Sequence, residues 1–200
     1  MSTALRITIA PVSILADLER EASTCTRCPL SAGRTNVVFG VGDSNADLMF
    51  VGEGPGRDED LKGEPFVGRS GQLLDRVLQE ELGIGRDRVY IANTVKCRPP
   101  GNRDPHPVEV DTCRPFLERQ IELVDPRVIV TLGNFATRLL LGSSQGIKQL
   151  RGRSYPYGDA RVIPTFHPSF VLRSGGVGEA MAGLRADLVR AKKHLGGAGA

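Results

Sequence analysis

Four cysteines are the residues of this sequence whose spacing most directly indicates chemistry. Cys25 and Cys28 form a C-x-x-C pair, and Cys97 and Cys113 lie much further along the chain. Two cysteines separated by two residues can bind one centre from a single turn, so we predict a metal site made of all four thiols. Two disulfides or a redox pair are less consistent, because disulfides are rare in full-sized cytosolic domains and a loop with Pro29 follows the pair. Four unrelated thiols are a further alternative, and both Zn²⁺ and an iron–sulfur cluster accept four thiolates.

Three polar residues lie in or directly after apolar runs that have the length of buried strands. Glu53 follows such a run in the glycine-rich turn GEGPG, Asn93 lies inside a second run, and His167 follows a third. Because the strand ends of a parallel sheet converge on one edge, we expect these side chains to meet in a ligand site. The plainer interpretations are a simple turn at GEGPG and a structural histidine.

A second glycine-rich segment, residues 63–71, contains one isolated aromatic residue, Phe66. This side chain could anchor the loop on the core, or it could stack on a planar ligand. Ser70 is suited to cap the helix that follows. The two glycine-rich segments together favour a binding loop.

Hydrophobic patterning predicts strands that alternate with helices. Strands are expected at residues 37–41 (an edge strand), 48–51, 89–95 and 128–132, with a hairpin over 152–157 and 161–165, and helices at residues 12–23, 71–82, 108–124, 134–141 and 179–195. Pro115 predicts a kink or a late start in the third of these helices. The strands are continuous apolar runs, which is typical of an α/β fold with a parallel sheet covered on both faces. We expect a single domain over residues 1–200, with a frayed tail at 196–200.

The chain has 200 residues and a formal net charge of +3, which by itself requires no nucleic-acid partner. Several arginines flank loops, and a shared face would bind phosphates, although scattered surface charge is the alternative. They are Arg98, Arg103, Arg151, Arg153, Arg161 and Arg173. No apolar run is long enough for a membrane span, and the N-terminus lacks a secretory pattern, so we expect a cytoplasmic protein without a membrane partner.

Four motifs, in order, carry a resemblance to a known family. They are GEGPG at 52–56, GEPFVGRSGQLL at 63–74, NTVKCRPP at 93–100 and HPS at 167–169. Together with the cysteine pattern they resemble the family 4 uracil-DNA glycosylases, the iron–sulfur type of bacteria and archaea, from about Cys25 to Arg173. The resemblance implies a three-layer α/β/α fold with a four-stranded, mainly parallel central sheet. It also implies that the four cysteines hold a structural [4Fe–4S] cluster.

The family's functional positions imply roles for matching residues. Phe66 resembles the aromatic that stacks on a flipped-out uracil, Asn93 the amide that reads the base, and His167 the histidine near uracil O2. Glu53 corresponds to a catalytic position beside the reacting sugar, and Glu59 to a supporting acidic residue.

Other matching residues would contact DNA. Ser169 and the turn 171–173, which ends in Arg173, resemble a segment that grips phosphates and fills the gap left by the flipped base. Ser70 at its helix start would suit a phosphate. Gly52 and Gly54 would let the backbone approach the sugar and base.

The activity implied is that of a monofunctional uracil-DNA glycosylase, which acts on uracil-containing DNA as a monomer in base-excision repair and releases free uracil. Better-known members of the wider group carry a water-activating aspartate directly after the position of Glu53, whereas this chain has Gly54. Water activation would therefore come from Glu53, from a backbone group or from no group at all. A DNA-binding or cluster-carrying module without catalysis, and a zinc-filled cysteine site, are the competing hypotheses.

Overall fold

A six-stranded sheet forms the centre of the structure, a computed structural model that describes residues 11–196. Its strands are β1 (Val41–Gly42), β2 (Leu48–Gly52), β3 (Tyr90–Asn93), β4 (Val128–Leu132), β5 (Tyr155–Tyr157) and β6 (Ala160–Thr165). The spatial order is β1-β3-β2-β4-β6-β5. The four inner strands are mutually parallel, and the two edge strands pair antiparallel with their neighbours. The four strands expected for the central sheet correspond to its parallel part. The expected number is wrong because two short edge strands bring the total to six.

Two predicted strands are shorter in the structure. The edge strand expected at 37–41 is reduced to Val41–Gly42, because the Val38 N–H donates to the Lys96 carbonyl (2.8 Å), in the loop that follows β3, instead of a neighbouring strand. The strand expected at 89–95 ends at Asn93, where the Thr94 and Val95 N–H groups donate to the turn after β2. The predicted hairpin is confirmed as β5 and β6.

Eight α-helices surround the sheet in the described part of the chain. They are α1 (Pro11–Ser23), α2 (Arg57–Lys62), α3 (Arg69–Val77), α4 (Pro107–Val124), α5 (Asn134–Leu141), α6 (Ile147–Leu150), α7 (Pro168–Arg173) and α8 (Gly178–Gly196). A π-helical turn, Leu78–Leu82, continues α3. The short helices α2, α6 and α7 were not predicted. The tail expected at 196–200 lies outside the described residues except for Gly196, which still belongs to α8.

The helices pack in two layers, one on each face of the sheet. Along β2, Leu48 and Phe50 pack with α3, α7 and α8, whereas Met49 and Val51 pack with α1, α4 and α5. This alternation follows from the two-residue period of a strand. The expected three-layer α/β/α class is confirmed.

Two local predictions about helix boundaries are wrong. Ser70 lies inside α3 and does not cap it. The helix begins at Arg69, and Gly68 occupies the N-cap position without a side-chain hydrogen bond. Pro115 does not delay its helix, since α4 begins at Pro107 and continues through Pro115; the kink predicted as the alternative stays a prediction. Proline at the first helical position loses no helical hydrogen bond, which explains the early start.

The chain order places the ends of the parallel strands around a switch point. From β2 the chain moves outward to β3 and then crosses back to β4 on the other side of β2. Ligands of open α/β sheets bind at the carboxyl ends of strands at such a point. Glu53, Asn93 and His167 all lie at this edge. Among the helices of residues 11–196, none has both the length and the apolar character that crossing a bilayer requires.

Gly71 tests how tightly α3 packs on the loop before it. Alanine normally stabilises a helix relative to glycine by up to about 1 kcal/mol. A Cβ at Gly71, however, would lie only 1.7 Å from the Phe66 carbonyl oxygen. We therefore expect Gly71→Ala to lower the free energy of unfolding by about 1–3 kcal/mol, measured by urea denaturation.

Gly33→Ala is the matched control. Gly33 has φ −113° and no atom within 4 Å of an added Cβ, so its effect should stay within about 0.5 kcal/mol. Equal stability of Gly71→Ala and the wild type would contradict the close approach of α3 to Phe66.

Candidate active site

A cleft of about 480 Å³ opens at the carboxyl ends of the parallel strands. It brings together nearly all of the residues expected from the sequence to act on a substrate. Those that line it are Glu53, Gly54, Glu59, Phe66, Ser70, Asn93, His167, Ser169 and Arg173. The remaining one, Gly52, ends β2 and is paired in register with Asn93.

Gly52 lies where the Asn93 amide and the Phe66 ring converge. A Cβ at Gly52 would lie 2.4 Å from Asn93 Oδ1 and 2.6 Å from Phe66 Cζ. Real side chains do not tolerate such distances, so the two groups occupy the space that any other residue would fill. Glycine is required here by this close approach, because no positive φ is involved.

Asn93 lines the cleft and carries an unpaired acceptor. The residue is 1% exposed, and its Oδ1 is buried without a hydrogen-bond partner among the described residues. Its backbone carbonyl is held by the buried ammonium of Lys96, whose Nζ donates to it (2.8 Å) and to Gln120 Oε1. A buried acceptor without a partner costs about 1–3 kcal/mol. The amide is therefore suited to a ligand that brings its own N–H.

Phe66 is held in an unusual backbone conformation. Its φ of 54° lies in the left-handed region, which costs a side-chain-bearing residue about 1–3 kcal/mol. Arg86 stabilises this turn by donating to the Phe66 carbonyl (2.9 Å) and the Pro65 carbonyl (2.7 Å). Asp75 in turn lies 3.3 Å from the Arg86 guanidinium.

Glu59 joins the two glycine-rich segments from the other side. Its Oε1 accepts the Val67 and Gly68 N–H groups (both 3.0 Å), and its Oε2 accepts the Gly56 N–H (3.1 Å). With three backbone donors on its carboxylate, Glu59 is placed to position the loops.

His167 lies next to Phe66 in the cleft. The two ring centroids are 5.7 Å apart and the planes are inclined by 32°. The Ser169 N–H donates to His167 Nδ1 (3.1 Å), and Ser169 Oγ lies 2.8 Å from the same nitrogen. Since Nδ1 accepts, the neutral ring carries its proton on Nε2. Burial, and to a smaller extent the charge of Arg173, lowers the pKa of His167 to about 4. The ring is thus a neutral N–H donor at physiological pH.

Glu53 is the half-buried carboxyl group at the exit of β2. Burial is the main cause that raises its pKa to about 7; the negative charge of Asp104 adds to the rise and the charge of Arg173 opposes it. Its backbone carbonyl accepts the Val95 N–H (3.1 Å) and the Thr94 hydroxyl, which fixes the turn. Near neutral pH the side chain is present in both protonation states.

Four arginines line the outer part of the cleft, together with the carboxylates of Asp58 and Asp104. Of the arginines singled out from the sequence, only Arg103 and Arg173 line it, whereas Arg151 pairs with the buried Asp187 (3.0 Å). Arg57 and Arg69 line the cleft without having been predicted. Two of the turn residues expected to reach DNA are turned away: Val171 is fully buried and Leu172 packs on the core, which leaves the exposed Arg173.

All four cysteines line one small cavity and none forms a disulfide. Backbone and arginine N–H groups point at the sulfurs: Arg27 at Cys25 (3.4 Å), Arg34 at Cys97 (3.3 Å) and the Lys96 amide at Cys113 (3.3 Å). Within residues 11–196, no three ligand-type side chains converge closely enough to hold a single metal ion.

This donor set fits a thiolate-bound group. Burial raises the pKa of the Cys97 and Cys113 thiols, whereas at Cys25 the hydrogen bonds and charge of Arg27 outweigh burial and lower the pKa. Four thiols around one cavity, with N–H donors to three of the sulfurs, are the ligands and outer contacts that iron–sulfur clusters use.

Comparison with known proteins identifies close relatives. A family model described as the uracil DNA glycosylase superfamily matches residues 39–187. The type-4 uracil-DNA glycosylase of Thermotoga maritima is 51% identical over 152 residues, which cover 75% of this chain and 79% of that protein. The type-4 enzymes of Archaeoglobus fulgidus and Sulfurisphaera tokodaii are 46% and 44% identical, each over 166 residues that cover 79% of this chain and 83% and 76% of those proteins.

The protonation state of His167 is directly measurable. Its folded-state pKa of about 4 is below the unfolded value of 6.5. Between these values the unfolded chain binds more protons, so His167 lowers the stability of the fold as pH falls from about 6.5 to 4. We expect nitrogen NMR of the labelled ring to show the Nε2–H tautomer down to about pH 4. Titration near pH 6.5 would contradict the burial of the ring, and the Nδ1–H tautomer would contradict the Ser169 contact.

Proposed function

The chain belongs to the uracil-DNA glycosylase superfamily and to its type-4 branch, and from this we propose that it is a monofunctional uracil-DNA glycosylase. It binds uracil-containing DNA, flips uracil out of the helix and hydrolyses its N-glycosidic bond. The products are free uracil and an abasic site for base-excision repair. A base inside a duplex is out of reach of any side chain, so the base must enter a pocket.

The unpaired Oδ1 of Asn93 is the observation that carries this proposal. Uracil offers an N3–H donor beside the O4 acceptor, and a fixed amide can pair with both through its oxygen and its NH₂ group. Cytosine presents the reverse pattern at these positions, with an acceptor at N3 and a donor at C4. The Asn93 amide would then face like groups, so cytosine is rejected.

Phe66 and Gly52 define the space for the base. The Phe66 ring stacks on the uracil plane, and its strained turn, fixed by Arg86, keeps it in place before the base arrives. Gly52 lets the Phe66 ring and the Asn93 amide converge, and Gly54 adds no side chain to the turn.

Bond cleavage moves an electron pair onto the leaving uracil. His167 donates from Nε2–H to uracil O2, where the negative charge develops, and Ser169 holds the ring in that tautomer. The neutral imidazole can stabilise the uracil anion by a hydrogen bond and does not have to transfer its proton. Glu53 lies beside the sugar, whose positive charge its carboxylate form stabilises, while Glu59 positions the loops.

DNA phosphates are bound at the rim of the cleft. Arg173, Ser169 and Ser70 with the N-terminus of α3 supply the positive charge and the donors. We propose that the protein acts as a monomer in the cytoplasm; both stay predictions.

A [4Fe–4S] cluster bound by Cys25, Cys28, Cys97 and Cys113 completes the proposal. When bound, it supplies a covalent brace between the chain's N-terminal part, the loop after β3 and α4. Cys97 lies four residues after Asn93, and the Lys96 between them contacts both the Asn93 carbonyl and Cys113. The cluster would therefore help to hold the Asn93 amide in position and would take no part in the reaction.

Uracil release under single-turnover conditions tests the function and the role of Asn93. The cluster-loaded wild type should release uracil from duplex DNA, which alkali reveals as strand breaks. Asn93→Asp loses the donor to O4 and puts charge against it, so we expect the rate to fall roughly 10- to 100-fold. Its preference for uracil over cytosine should also weaken.

Asn45→Asp, on an exposed turn before β2, is the control and should keep the wild-type rate. Absence of strand breaks with loaded wild-type protein would contradict the glycosylase activity. An Asn93→Asp variant with unchanged selectivity would remove Asn93 from base recognition while leaving the activity in place.

Metal content tests the cluster. Protein purified without oxygen should be brown and contain about four iron atoms and four sulfides per chain. Cys97→Ser should lose iron and lower the thermal midpoint, because the brace beside β3 is gone. Colourless protein that contains zinc would contradict the cluster and support the zinc alternative.

A further inference from the structure

Asp104 lies at the junction of two clefts. The catalytic cleft adjoins a second one of about 590 Å³, and the two share Asp104 with Glu53, His167, Ser169 and Arg173. The shared set contains two carboxyl groups, those of Glu53 and Asp104. Asp104 was not singled out by any sequence pattern, because it lies in a polar loop without a motif.

The backbone around Asp104 is held by an ion pair between the half-buried Arg103 and the buried Glu109. Arg103 binds the Glu109 carboxylate through both terminal nitrogens (2.7 and 2.8 Å), and Glu109 is 1% exposed. Arg103 also donates to the Asp104 carbonyl (2.9 Å), and the His106 N–H donates to Glu109 (2.8 Å). The chain is thus fixed on both sides of Asp104, while the residue itself is exposed to the cleft.

Glu53 and Asp104 interact through space. Burial is the first cause of the raised pKa of Glu53, and the charge of Asp104 is the second. Glu53 therefore holds a proton in many molecules at neutral pH, which weakens it as the sole base. The two carboxyl groups line the same two clefts, which is the geometric basis for this interaction.

Three other groups near Asp104 are unsuited to accept a proton from water. Gly54 has no side chain. The two nitrogens of His167 are used as an acceptor for Ser169 and as a donor. The carboxylate of Glu59 already accepts three backbone N–H groups. The exposed carboxylate of Asp58 also lines the catalytic cleft, but it does not belong to the set that the two clefts share with Glu53 and His167.

We propose that Asp104 is the catalytic base that takes a proton from the attacking water, with Glu53 beside it facing the sugar. This deepens the proposed glycosylase function and rests on it. As the bond from C1′ to N1 breaks, its electron pair leaves with uracil. The water oxygen forms a bond to C1′ and gives one proton to the Asp104 carboxylate. That proton returns to solvent, and uracil takes up a proton, so the sum is hydrolysis.

Removing the charge of Asp104 should affect the rate and the DNA affinity differently, which makes the proposal testable. A carboxylate beside DNA phosphates disfavours binding, so removing it should not weaken DNA affinity. Removing a base lowers the rate typically 10²- to 10⁴-fold. We expect Asp104→Asn to show this fall in single-turnover uracil release. Its Kd for a duplex with non-cleavable 2′-fluorodeoxyuridine should equal the wild-type value or be lower.

Chemical rescue separates a base from a structural residue. Asp104→Ala should regain activity in proportion to added formate, which can occupy the vacated space and accept the proton. Asp111→Asn, an exposed carboxylate on α4 that pairs with Arg114, is the control and should keep the wild-type rate.

Three outcomes would overturn the role of Asp104. They are a wild-type rate for Asp104→Asn, a rate that falls together with DNA affinity, and an Asp104→Ala variant that formate does not restore. Each is read only against an active wild type, because a wild type that releases no uracil would instead contradict the proposed function.

Discussion

The close approach of the Asn93 amide and the Phe66 ring above Gly52 is the contact on which the rest of the site depends. It requires β2 and β3 to be neighbours in register, so that Gly52 faces Asn93. It also requires the left-handed turn at Phe66, which is stable only because Arg86 binds its carbonyl and α3 packs directly on it through Gly71. The surrounding fold thus holds a strained loop and an unpaired amide in the geometry that a planar base would complete.

Electrostatics divide the cleft into an inner and an outer part. Inside, burial favours neutral groups: His167 stays uncharged and Glu53 is readily protonated. Outside, Arg57, Arg69 and Arg173 provide positive charge for phosphates. The donors of such a buried site are already oriented before the reaction begins. They can therefore stabilise the charges that develop in the transition state.

The sequence predicted the regular parts of this fold because their signals are local. The strand at 128–132 and the helix at 134–141 have the predicted bounds, and the rule that strand ends converge correctly predicted the meeting of Glu53, Asn93 and His167. Short elements bounded by glycine and proline, such as α2 and α7, were missed because they lack enough residues for a helical period. Long-range partners carry no local signal, so the contacts of Arg86 with the Phe66 turn and of Arg151 with Asp187 appear only in three dimensions.

A crystal structure of the protein with free uracil would test the central claim most directly. Uracil should lie stacked on Phe66, with N3–H within hydrogen-bond distance of Asn93 Oδ1 and O2 within reach of His167 Nε2. The acceptor that is unpaired without ligand would then be satisfied. Uracil bound outside this cleft, or bound in it without a contact to Asn93, would contradict the account.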